Sequence, residues 1–84
     1  MGTQGDLDPA EQQRLVRLAL SEWSSAADAR VDSVIVSTKR VAVNLFVNGD
    51  YEYVVFFQED ENGRWEEAGS SSGHADQAHM DAQA

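Results

Sequence analysis

Four side chains near the C-terminal end could ligate a metal. His74, Asp76, His79 and Asp81 offer two imidazoles and two carboxylates in close succession. Imidazole and carboxylate together suit a borderline transition metal. Their spacing follows no strict ligand motif, and ordering a loose segment around an ion costs chain entropy. The plainer reading is a solvated tail, so no metal and no cofactor are expected. A second group, Glu59, Asp60, Glu61, Glu66 and Glu67, gathers at one end of a hairpin if its two strands pair. Clustered oxygen ligands suit calcium, but the order of ligands and glycine of a helix–loop–helix calcium site is missing. A charged hairpin end accounts for these residues.

Acid–base chemistry by paired carboxylates needs one of them buried, to raise its pKa. Nothing in the sequence points to that burial. Ser70, Ser71 and Ser72 are not flanked by the strand-to-helix turn of a nucleophile elbow. No glycine-rich phosphate loop is present. Trp23 and Trp65 read as packing residues rather than ligand stackers. The expectation is a protein without catalytic residues.

Composition narrows the partners. The chain has 84 residues, no cysteine and a net charge of −9 from fifteen acidic and six basic residues. That length makes one small domain, whose core supplies ~3–5 kcal/mol of net stability unless something supplements it. Disulfides are excluded without cysteine. The charge repels phosphate backbones, so nucleic acid is not an expected partner. It suits solubility, or an acidic decoy that blocks a basic site. No apolar run approaches the roughly 20 residues of a membrane span. No basic segment leads into an apolar one at the N-terminus, and a cytoplasmic location without membrane contact is expected.

The elements that must position these residues centre on the stretch 41–57. Val41, Val43, Leu45 and Val47 alternate with Ala42, Asn44, Phe46 and Asn48, a period of two. Asn48 and Gly49 tolerate the positive φ that hairpin turns require. A two-residue turn would set Leu45 opposite Glu52. A three-residue loop sets Val47, Leu45, Val43 and Val41 opposite Tyr51, Tyr53, Val55 and Phe57. The second register builds one continuous apolar face and is preferred, since a slip by one residue exchanges the faces.

Upstream, Asp8, Pro9 and Glu11 form a helix start with a capping box. The helix should reach Ser24 or Ala27, burying Leu15, Val16, Ala19, Leu20, Trp23, Ala26 and Ala27, with Leu18 at the margin. A first strand follows from Val31 to Thr38. A tight turn at Thr38 and Lys39 pairs Val36 with Val41 and Val34 with Val43. After a turn at Asn62 and Gly63, residues 64–68 form a short, charged edge strand.

The expected division is a flexible N-terminus over 1–7, one domain over 8–69 and a disordered polar tail over 70–84, which opens on the linker-like Gly69-Ser70-Ser71-Ser72-Gly73. The expected fold is α+β, one N-terminal helix packed on a four-stranded antiparallel meander. The order of elements and the Asn62-Gly63-Arg64-Trp65 entry to the last strand loosely resemble part of the cystatin-like or NTF2-like α+β roll, over residues 8–69. That resemblance implies a curved sheet around a ligand pocket. The further helices that form the pocket's cone have no counterpart in this sequence, so no site residue carries over from it.

One helix covers only one face of such a sheet. The other face carries Ile35, Ala42, Phe46, Val54 and Phe56, with Trp65 from the fourth strand as a further candidate. An uncovered apolar face of this kind is how interfaces are built. These six residues are the candidate partner-binding set, and a second copy of the chain is the simplest partner. The leading function is a non-catalytic, self-associating binding or regulatory module. The acidic decoy and a small-ligand or enzymatic roll domain are the alternatives.

Overall fold

A computed structural model of the chain describes residues 7–23, 25 and 28–83. Helix α1 spans Pro9–Ser21. Four strands follow, β1 at Ala29–Ser37, β2 at Arg40–Val47, β3 at Tyr51–Glu59 and β4 at Trp65–Ser72, and a second helix, α2, closes the chain at Gln77–Gln83. The strands form one antiparallel sheet in the order β1-β2-β3-β4. The fold is α+β, a helix on a four-stranded meander.

Asp8 caps α1 by accepting from the amides of Ala10 at 3.1 Å and Glu11 at 3.3 Å. Its carboxylate satisfies amides that the first helical turn leaves without partners. The other half of the expected capping box is diverted, because the Glu11 carboxylate pairs with Arg14. The helix ends sooner than its apolar pattern suggests. Ser21 donates its hydroxyl to the Leu18 carbonyl at 2.6 Å, and the amides of Glu22 and Trp23 turn back three residues to Ala19 and Leu20. This tightening closes the last turn. Ser24, Ala26, Ala27 and the segment 1–6 lie outside the described residues. Leu7, expected to be loose, packs against the core.

The β2–β3 hairpin takes the three-residue loop. Val47 pairs with Tyr51, Leu45 with Tyr53, Val43 with Val55 and Val41 with Phe57. Asn48 at φ +53° and Gly49 at φ +103° occupy the left-handed region that the loop demands. In β1, Val36 faces Val41 and Val34 faces Val43, and the register skips Asp32 in a bulge between Val31 and Ser33. The first face of the sheet is thereby set. Val41, Val43, Leu45, Val47, Val55 and Phe57 are buried with Leu15 and Ala19 of α1.

The C-terminal part of the chain differs from expectation. β4 does not stop at Ala68 but continues through Ser70, Ser71 and Ser72, opposite Val55, Val54 and Tyr53. A ladder is bonded through backbone groups that every residue but proline supplies, so a Gly/Ser composition does not prevent a strand against a ready partner. The chain then returns across the second face of the sheet and forms α2. The expectation of a disordered 70–84 tail is corrected by this strand and helix. The expectation that a single helix is available to the sheet is corrected with it.

Candidate functional site

The second sheet face has an unusual residue at its centre. Asn44 sits among the valines of β2 and is 2 % exposed. A buried amide costs free energy unless its polar atoms find partners. Here they do. Asn44 Nδ2 donates to Ser33 Oγ at 3.0 Å and to the Ala75 carbonyl at 2.8 Å. Its Oδ1 accepts from the Ala75 amide at 3.0 Å. The side chain thus grips the main chain of residue 75 by both its donor and its acceptor, as a neighbouring strand would.

Around this point the segment 73–83 is held at successive positions. The Gly73 amide donates to the Glu52 carbonyl at 2.8 Å, extending the ladder past the end of β4. His74 sets Nε2 2.8 Å from the Leu45 carbonyl, beside the bulge in β1, and its Nδ1 lies 3.7 Å from Asp32 Oδ2. Its ring meets Phe46 edge-on at 4.9 Å, while Arg30 stacks its guanidinium over the same phenyl ring at 5.1 Å. Asp76 caps α2 by accepting from the His79 amide at 2.8 Å. Gln77 donates to the Val36 carbonyl at 3.1 Å. Met80, 1 % exposed, then enters an apolar cluster with Ala75, Ala42 and Val54, flanked by Ile35 and Phe56.

The six candidate partner-binding residues are therefore divided. Ile35, Ala42, Val54 and Phe56 come together, under the chain's own C-terminal segment. Phe46 lies at the margin beneath His74. Trp65 does not join them. It pairs with Glu59 and packs against the α1 core on the first face, so its candidacy for the second face is corrected by the β3–β4 register. That register follows from Asp60, whose Oδ1 accepts from the amides of Asn62 at 2.8 Å and Arg64 at 2.9 Å and closes the turn.

Beside α2 a cleft of about 400 Å³ remains, lined by Val54, Phe56, Ser71, Ser72, His74, Ala75, Asp76 and His79. Its serines, imidazoles and carboxylate suggest a nucleophile relay, in which an imidazole stands between a hydroxyl and a carboxylate. The hydrogen bonds are arranged otherwise. His74 stands between Asp32 and a backbone carbonyl, Ser71 donates to the Ser72 carbonyl at 3.2 Å, and Asp76 is spent on the helix cap. Among the described residues no group of three or more His, Cys, Asp or Glu could hold a metal ion.

One pairing had no sequence signal. Glu22, just past α1, and Glu67, on β4, share a hydrogen bond that pushes the Glu22 carboxyl up from 4.5 to about 7, with desolvation and like charge adding to it. The two are 45 positions apart in sequence, and neither lies in a pattern that links them. Asn44 was legible as an oddity in a valine strand, but its partner was not.

No family model, no curated protein and no solved structure matches this chain. No helix among the described residues is long and apolar enough to cross a membrane.

Proposed function

We propose that this protein is a non-catalytic binding module whose working surface is the second face of the sheet. The observation that carries this reading is the pair of hydrogen bonds by which buried Asn44 takes the main chain of Ala75. A strand residue that reads backbone rather than side chain accepts any extended segment with a small residue at that position. The apolar cluster of Ile35, Ala42, Val54 and Phe56 then takes one large apolar side chain a helical turn further on. The chain's own segment 73–83 is the resident occupant. It is replaceable, because α2 has seven residues, well short of the ~12 at which a helix becomes marginally stable alone. Among its described residues the large buried anchor is Met80, and burying such a side chain contributes about 1.5–3 kcal/mol. A cytoplasmic setting and a regulatory role, with the segment lifting to admit a partner, belong to the same reading.

A fluorescent peptide of residues 73–83 tests it. The Met80→Asp chain, whose own segment is weakened, should bind the peptide saturably and more tightly than the wild-type chain does. A folded Met80→Asp chain that ignores the peptide would overturn the reading.

The acidic decoy has one observation in its favour. Glu22 and Glu67 set two carboxyl groups of like charge side by side, a charge that a basic partner would neutralise. Binding that weakens steeply with salt would mark that mode.

A further inference from the structure

We propose that two copies of this chain exchange their C-terminal segments, each laying residues 73–83 across the second sheet face of the other. The proposal rests on the docking reading above and names the partner of that face.

The first observation is the fit. The segment is held at five positions in turn, by Glu52, Leu45 with Phe46, Asn44, Val36 and the Met80 cluster. A second copy presents the same seat and carries the same segment, so the contacts from His74 to Met80 can re-form between chains without any new complementarity, while the Gly73 bond, one rung beyond the Ser72–Tyr53 pair, belongs to the joint. Two such exchanges close about a two-fold axis and leave no seat open.

The second observation is the joint. β4 ends at Ser72, and Ala75 is already bonded to Asn44, so the chain reverses within two residues. Short connections of this kind favour exchange, because an extended path relieves the reversal. Gly73 lies at its centre with φ +93°, and a Cβ placed there would meet nothing within 4 Å. Glycine has free access to both the reversed and the extended backbone.

The third is the consequence of opening. Lifting the segment uncovers Ile35, Ala42, Val54 and Phe56 together, an apolar patch that the like segment of a second copy covers again. Each copy carries a net charge of −9. Mutual repulsion therefore opposes the pairing at low ionic strength, and salt strengthens it by screening. A partner attracted by the acidic surface would show the opposite trend.

The test uses full-length chains in complementary pairs. One partner has a blocked seat and an intact segment, through Ala42→Leu or, independently, Val54→Asp. The other has an intact seat and a spoiled segment, through Met80→Asp. Each alone should sediment as a monomer, with its strand content retained by circular dichroism. Mixing a blocked-seat chain with the Met80→Asp chain should raise the mean mass toward twofold, more so at higher salt. A mixture that stays monomeric at high micromolar concentration, while the Met80→Asp chain binds the 73–83 peptide, overturns the exchange and leaves the docking reading standing. If the peptide does not bind either, the docking reading falls and the exchange falls with it.

Discussion

Asn44 and Ala75 stand 31 residues apart in sequence and are joined by two hydrogen bonds, side-chain amide to main-chain amide, at 2.8 and 3.0 Å. The contact makes the polar centre of the second sheet face depend on the C-terminal segment. If that segment lifts, Asn44 loses two partners and an apolar cluster is wetted.

Asn44→Leu should loosen the segment while leaving the sheet intact. Leucine has the same branched outline, though bulkier methyl ends, and suits a buried strand position, but it cannot hold the Ala75 backbone. Amide exchange at Ala75 should speed up relative to Val43 and Val55. Unchanged protection at Ala75 would show that the segment is held by Met80 and its flanks instead.

Met80→Ala should cost about 2–5 kcal/mol if the site stays packed in the absence of the side chain. A smaller loss is expected, because a seven-residue helix at the chain end can detach rather than keep a cavity. The diagnostic outcome is a loss below ~2 kcal/mol in urea midpoints, together with gained binding of an apolar dye. A loss at the top of the range, with no dye binding, would show α2 to be an integral part of the core.

These two variants bear on what the sequence could reveal. The β2–β3 register was legible, because Val41, Val43, Leu45 and Val47 can share one face with Tyr51, Tyr53, Val55 and Phe57 only in the three-residue loop. The partner of the second face was not. Among the described side chains of α2, Met80 is the one deeply buried, and one anchor makes no period. Ser70, Ser71 and Ser72 enter β4 through their backbone, which composition does not report. Asn44 signals a buried polar requirement, but only the folded path of the chain supplies Ala75.

Asp8→Ala should destabilise the protein by about 1 kcal/mol, the usual cost of removing a capping carboxylate. The amides of Ala10 and Glu11 lose their acceptor. A shift of the urea midpoint without a change of slope would measure it. Asp8→Asn should recover most of the loss, since an amide oxygen caps as well. No loss in either variant would move the effective start of α1 beyond Glu11.

The Glu22–Glu67 pair gives a pH signature of definite sign. The folded protein holds the Glu22 proton up to about pH 7, whereas its ordinary pKa is 4.5, so between these values the folded state binds more protons than the unfolded state. Stability from this pair is therefore fully present below about pH 4.5 and is lost as pH rises through about 7. Both residues are exposed, and solvent screening keeps the effect below about 1 kcal/mol. Glu67→Gln removes the like charge and the shared proton. The fall in stability from pH 5 to pH 7.5 should then be shallower than in the wild type. A carboxyl-carbon titration by NMR should place the Glu22 midpoint near 7 in the wild type and nearer 4.5 in Glu67→Gln. If the midpoint is the same in both chains, Glu67 does not hold the proton, and the two carboxylates are independent surface charges.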